Sequence, residues 1–138
     1  MEFRVESFTR KSVRHTILVE TWWKERSGLE IPMETFSDSG FMVFVGEDAV
    51  AATFFYPIYG CSTALVGFPI SDPFIDKEIR RGALSALIKE IEQTATRMNY
   101  KNILSYAGSK GAINMFESLG YEKGDTGIIN FIKTLEVR

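Results

Sequence analysis

The stretch FMVFVGEDAVAATFFYPIYGCSTALVGFPISDP, Phe41 to Pro73, decides the fold. Its three runs, Phe41 to Val45, Ala49 to Tyr59 and Cys61 to Pro69, are rich in Val, Phe, Tyr and Thr and meet only at GEDA and YGC. Branched and aromatic side chains suit a pleated, half-buried surface, and such short gaps suit hairpins. Three consecutive antiparallel strands are the simple account. Ser71, Asp72 and Pro73 then break the sheet.

Working outward, the apolar positions Leu84, Leu87, Ile88, Ile91, Ala95 and Met98 recur at helical spacing and predict a long helix ending near Met98. Asn102 to Ala107 reads as a short strand and Ser109 to Leu119 as a shorter helix, with Gly120 where a helix-ending glycine belongs. Ile128 to Val137 alternates in part and predicts a last strand returning into the sheet. On the other side, FRVESF within Glu2 to Phe8 alternates as a first strand, and Thr9 or Ser12 can cap a helix over Arg10 to Arg26. Ser27 to Ser39, with Gly28 and Pro32, reads as a loop or a loop with one helical turn. The order β, α, three β, α, β, α, β gives an α+β domain, a mixed and mostly antiparallel sheet with helices on both faces.

The chain has 138 residues, with no repeat, low-complexity run or linker at which to divide it, so a single domain over 1–138 is expected. Apolar residues at 45% and charged residues at 25% are the balance of an ordinary globular protein. No run is long enough for a membrane-spanning helix. One cysteine excludes an internal disulfide, the first residues lack the pattern of a secretory signal, and a cytoplasmic setting is the default. A net charge of −2 argues against a nucleic-acid scaffold.

Two motifs carry chemistry. EIRRGALSALIKEI, Glu78 to Ile91, sets two arginines and Gly82 near the start of the long helix. Small residues at a helix N-terminus let phosphates approach unsatisfied N–H groups, but a glycine there also permits close packing, and the sequence leaves both open. GSKGAINMFESLGYEKGD, Gly108 to Asp125, joins a small residue, Ala112, to Phe116, Glu117, Leu119, Gly120 and Tyr121. Elsewhere the signals are weak. His15 and Cys61 are far apart in sequence, Glu30, Glu34, Asp72 and Asp76 read mainly as solvated or capping carboxylates, and no cluster has metal-ligand spacing. Trp22 and Trp23 point about 100° apart on a helix, which sends one into the core and leaves the other to border a pocket.

The element order and these two motifs resemble the GNAT superfamily of CoA-dependent N-acetyltransferases, over nearly the whole chain. The tryptophan pair and the irregular phosphate turn are also similar in style to small GNAT-like proteins of bacteriophages. The resemblance implies transfer of an acetyl group from acetyl-CoA to the amine of a small molecule or peptide, with no metal, nucleic acid or membrane involved. It places the CoA pyrophosphate on Arg80, Arg81, Gly82, Ala83, Leu84 and Ser85, although Ile79 stands where the family has Arg or Gln and Leu84 where it has Gly or Ala. It also sets Val66, Gly67 and Phe68 of the fourth strand, and Phe116, beside the cofactor, with a bulge near Gly67 supplying a backbone N–H. Phe116 occupies the position of a tyrosine that protonates the departing thiolate. Without that hydroxyl, the thiolate leaves unaided, or Tyr106 or Tyr121 stands in, with Ser109 near an expected asparagine, or catalysis is lost. Trp23, Glu30 and Phe36 are the implied acceptor contacts. A homodimer through the last strand is one arrangement the family uses; Lys133 and Glu136 would equally protect that edge.

Overall fold

The hairpins of Phe41–Pro73 form the centre of a five-stranded sheet in a computed structural model that describes residues 2–27, 33–129, 131 and 133–136. The elements are β1 (Arg4–Phe8), α1 (Val13–Ser27), a 3₁₀ turn at Met33–Thr35, β2 (Gly40–Val45), β3 (Asp48–Tyr56), β4 (Thr63–Ser71), α2 (Lys77–Arg97), β5 (Asn102–Ser105) and α3 (Lys110–Ser118). Their spatial order is β1-β2-β3-β4-β5. The first three pairings are antiparallel, and β5 joins β4 in parallel across the return made by α2. This is the expected α+β class.

Alternation along the strands assigns the two faces. Met42, Phe44, Ala52, Phe54 and Ile70 pack with Phe8 under Val19 and Trp22 of α1. On the other face, Val43, Val50 and Ala51 meet Ala83 and Leu87 of α2, while Phe55, Ala64 and Val66 meet Ile88 and Ile91 of α2 and Met115 and Phe116 of α3. Trp22 is therefore core, and Trp23 is half-buried. Caps end the helices as local chemistry requires. The Ser109 hydroxyl accepts the Ala112 N–H at 3.2 Å, and Gly120, at φ +89°, takes the left-handed turn after α3.

The expected last strand differs. Among the described residues of that segment, 128, 129, 131 and 133–136, none lies in a strand, and Ile128, Ile129, Phe131 and Leu135 are exposed. Its partial alternation carries no record of a ladder partner, and a strand without one is only a pattern. Residues 130, 132 and 137 lie outside the described residues.

Gly82 answers the packing question raised by the sequence. It sits five residues inside α2, counting from Lys77, and a Cβ built there would lie 2.6 Å from the ring of Phe3. The missing side chain is filled by an aromatic ring and not by open space. Gly82→Ala gains about 1 kcal/mol of helix propensity, but it must push the Phe3 ring out, which forfeits burial of roughly 1–2 kcal/mol. We expect Gly82→Ala to be neutral or destabilising alone and to stabilise by about 1 kcal/mol in a Phe3→Ala background. Urea unfolding of the four proteins of that cycle measures the coupling; additive effects would separate Gly82 from Phe3.

Candidate functional site

The β4–β5 ladder runs only from Thr63–Asn102 to Val66–Ser105, whereas β4 continues to Ser71. Five residues of β4, 67 to 71, therefore have no β5 partner. Ser105 closes the ladder, its hydroxyl donating to the Val66 carbonyl at 2.8 Å. Beyond it, Tyr106, Ala107 and Gly108 lead away to α3. The two parallel strands thus part at one end of the sheet, with α1 over one face and α2 and α3 over the other.

A bulge lies where they part. Ala52 pairs with Ile70 and Phe54 with Gly67, so Thr53 alone on β3 opposes two residues, Phe68 and Pro69, on β4. The extra residue falls at Phe68 and Pro69, one step beyond the glycine expected to bulge. Phe68 adopts φ +54°, a left-handed conformation that costs a bulky residue about 1–2 kcal/mol. Its ring packs against Trp23, Phe36 and Tyr56 at centroid distances of 6.0, 5.3 and 6.3 Å. Aromatic pairs contribute roughly 0.5–1.5 kcal/mol each, enough to offset the strain. Gly67 lies under the Tyr56 ring, where a Cβ would come within 3.0 Å.

Two polar residues that sequence reasoning passed over hold this region. Thr53 is fully buried, and its hydroxyl donates to the Gly67 carbonyl at 3.1 Å. A single threonine inside VAATFF was the available signal, since a buried hydroxyl needs a partner. Ser105 is the second. The Tyr56 hydroxyl donates to Thr35 O at 2.9 Å, and burial pushes its pKa up.

The predicted site residues divide into those near the bulge and those elsewhere. Val66, Gly67 and Phe68 line the parting of the strands, Tyr106 is half-exposed immediately after it, and Trp23 touches Phe68. Phe36 is buried and stacked on Phe54 at 4.6 Å, so it supports the aromatic cluster from behind. Glu30 lies outside the described residues. Phe116 is buried in the α2–α3 core with its ring edge-on to Tyr121 at 5.0 Å. Ser109 is the cap of α3. Tyr121 lies among the residues packed between α2 and α3; its hydroxyl is buried beside Glu92 without reaching hydrogen-bond geometry, and burial first, then Glu92, pushes its pKa far above the usual phenol range.

On α2, Ala83 is buried and Leu84 and Ser85 are half-buried, so the face expected to meet a pyrophosphate is largely turned toward the protein. Arg81 is exposed, and Arg80 is half-buried with Nη2 donating to Ile75 O at 3.5 Å. The open donors lie earlier, at the first N–H groups of α2, before the Arg80 N–H bonds Asp76 O at 3.0 Å. Asp72 accepts the Phe74 N–H, and Asp76 makes no side-chain cap bond. His15 bonds the Ser12 hydroxyl at 3.0 Å and packs edge-on against Phe8 and Phe44. Cys61 is exposed, its Sγ donating to Thr63 O. No group of three or more metal-ligating side chains occurs among the described residues. No described helix is long and apolar enough to cross a membrane. A groove of about 540 Å³ lies apart from the bulge, between α1, the β2–β3 turn and the β4–α2 turn, with Ile17, Phe44, Asp48, Asp72 and Ile75 in its walls.

No known protein-family profile matches the chain, and no curated protein sequence matches it. Solved structures do. An aminoglycoside acetyltransferase from an uncultured soil metagenomic sample, crystallised with trehalose and also with sisomicin, is 14% identical over 97% of each chain with a TM-score of 0.70. A transcriptional regulator from Bacillus halodurans C-125 is 14% identical over 95% of this chain and 100% of its own, at 0.71. AAC(6')-Iy, solved with the bisubstrate analogue CoA-S-monomethyl-acetylneamine, is 14% identical over 97% of this chain and 100% of its own, at 0.68. With a bulged fourth strand parting from a parallel fifth, the chain has the fold of the GNAT superfamily of acetyltransferases.

Proposed function

We propose that the chain is an N-acyltransferase that takes its acyl group from acetyl-CoA and delivers it to an amine. The observation that carries this reading is the bulge at Phe68 beside the unpaired edge of β4. Residues 67 to 71 present main-chain groups with no β5 partner, and an amide-bearing arm such as that of CoA pairs with such an edge as a strand would. The donor set therefore fits a CoA thioester there, and the similar structure holding a CoA bisubstrate analogue supports the assignment. Bound there, acetyl-CoA supplies the acetyl group already activated as a thioester.

The chain's own contribution is positional and electrostatic. A bulge takes a main-chain N–H out of the ladder and leaves it free to polarise a carbonyl oxygen. Thr53 and the ring cluster around Phe68 hold that geometry. Tyr106 offers the hydroxyl next to the parting of the strands, and we assign to it the proton delivered to the thiolate as the amine nitrogen bonds the carbonyl carbon and the C–S bond breaks; the proton the amine gives up returns to the Tyr106 oxygen through solvent. Tyr121 holds its proton firmly and is packed between α2 and α3, so it is not assigned that role. Trp23 borders the bulge on the α1 face and is the described residue we assign to the acceptor side.

A second reading, a GNAT-fold binding module without turnover, is favoured by one observation: Phe116 is locked in the core where a hydroxyl would otherwise serve. Titration calorimetry with acetyl-CoA, followed by thiol release in the presence of an amine such as sisomicin, separates the readings. We expect micromolar binding and release of free thiol. Binding with no thiol release across an amine panel selects the binding module, and no heat at all removes both.

Tyr106→Phe is expected to lower kcat by about 100-fold, within the range of a lost general acid, while leaving acetyl-CoA affinity within about twofold. Tyr121→Phe is expected to leave kcat unchanged; equal losses in both variants would overturn the assignment. Tyr121 also has a pH signature. The folded protein retains a phenolic proton that the unfolded chain releases near pH 10, so stability is full below that pH and falls above it. Tyr121→Phe should flatten the decline in stability above about pH 10, leaving the smaller part due to Tyr56, which shifts the same way. Urea midpoints collected across alkaline pH test this, and an unchanged slope refutes it.

A further inference from the structure

We infer that Thr53 and Ser105 are a pair of positioning residues: their hydroxyls clamp two consecutive peptide planes of β4 from opposite sides and so aim the Phe68 N–H into the gap that β5 leaves. The use of that N–H rests on the acetyl-transfer reading, whereas its direction rests on hydrogen bonds and register. Ser105 Oγ donates to Val66 O at 2.8 Å from the β5 side. Thr53 Oγ1 donates to Gly67 O at 3.1 Å from the β3 side. A trans peptide is planar, so its carbonyl and its N–H point opposite ways, and no peptide bond among the described residues is cis. With the Val66 carbonyl turned to β5, the Gly67 N–H faces β3. With the Gly67 carbonyl turned to β3, the Phe68 N–H faces the β5 side, one residue past the pair of Gly67's neighbour Val66 with Ser105 that ends the ladder. Pro69, next in the chain, has no N–H to offer.

Stability alone does not call for the Thr53 hydroxyl. Thr53 is fully buried on the α2 face of β3, between Ala51 and Phe55, where a valine has the same branched shape and no polar atom to satisfy. A neutral hydrogen bond adds little net stability over such an apolar replacement. What the hydroxyl does and a methyl cannot is fix the rotation of the Gly67–Phe68 plane. That plane needs fixing, because Gly67 has no side chain to restrain it and Phe68 stands at φ +54°. Thr53 alone opposes Phe68 and Pro69, so regular pairing does not continue through this point. As an amine adds to a thioester carbonyl, negative charge gathers on the carbonyl oxygen and leaves it again when the C–S bond breaks. A donor held in line with that oxygen acts on the transition state far more than on ground-state binding.

Thiol release from acetyl-CoA at saturating amine, with acetyl-CoA affinity measured by calorimetry, tests the clamp. Thr53→Val should lower kcat about 30-fold, while KM and Kd for acetyl-CoA stay within about twofold. Thr53→Ser keeps the hydroxyl and should recover most of the rate. Ile91→Val, a core change remote from the bulge, should lower the urea midpoint and leave kcat unaltered. Ser105→Ala should lower kcat in the same way as Thr53→Val, and the double variant should lose less than the product of the two losses, because both bonds hold adjoining planes. Unchanged kcat in Thr53→Val, no recovery in Thr53→Ser, or losses that multiply in the double variant overturn the proposal.

Infrared spectra of acetyl-CoA isotopically labelled at the thioester carbonyl read the donor without turnover. Bound to wild type, the carbonyl stretch should lie at lower frequency than in Thr53→Val, and coincident bands overturn the proposal even if the protein binds acetyl-CoA without releasing thiol. Failure of wild type to bind acetyl-CoA removes the acetyl-transfer reading and this inference with it. Normal turnover by wild type with no effect of Thr53→Val removes this inference alone.

Discussion

Everything about the candidate site depends on where a parallel strand pair stops pairing. At Val66 and Ser105 the ladder ends, yet β4 continues for five residues to the buried Ser71. A strand with one side paired and the other free holds main-chain donors and acceptors that must find partners. Ser105 Oγ takes the Val66 carbonyl and Thr53 Oγ1 the Gly67 carbonyl. Arg26 Nε takes the Ser71 carbonyl, and along the rest of residues 67 to 71 the β5 side has no strand partner.

The bulge at Phe68 uses that freedom, and its energetics explain why a phenylalanine can occupy a left-handed position. A glycine would take φ +54° without strain, but it would give up contacts with Trp23, Phe36 and Tyr56. Those rings belong to α1, to the segment after the 3₁₀ turn and to β3, so the bulge is fixed by three separate parts of the chain. Pro69 follows, and with no N–H of its own it cannot rejoin the ladder at that point. Strain at Phe68 is thereby held by packing on the α1 face, while the α2–α3 face keeps an unbroken apolar core through Val66, Ile88 and Phe116.

Most of the fold was legible because period and punctuation agreed. GEDA and YGC marked two turns, and Leu84, Leu87, Ile88 and Ile91 marked the buried face of α2. Features set by distant partners were not legible. The bulge fell on Phe68 and not Gly67 because Gly67 is needed under the Tyr56 ring, a contact across the sheet that no local window contains. Phe36 reads as a loop aromatic and is stacked core. Tyr121 reads as a hydroxyl near a motif, yet its hydroxyl faces Glu92 between two helices. The segment from Ile128 alternated, but alternation alone did not supply a neighbour.

Gly82 shows how a motif can be right in residue type and displaced in space. Spacing from the helix start decides what a helical glycine faces. Pro73, Asp76 as the N-cap and Glu78 in the first turn place the start of α2 at Lys77, five residues before the glycine. Five residues turn the chain through about 500°, or about 140° past a full turn. A glycine that would stand at the open mouth of the helix is instead carried round against Phe3, and its lack of a Cβ is consumed by that ring. The positive charge of the same motif does not travel with it. Arg80, two residues earlier in the first turn of α2, directs its side chain back toward the N-terminus, as helical side chains do, and reaches Ile75 O at 3.5 Å. The helix therefore separates two properties that the sequence presents as one motif: close approach is spent against Phe3, and charge stays at the start of the helix on the half-buried Arg80 and the exposed Arg81.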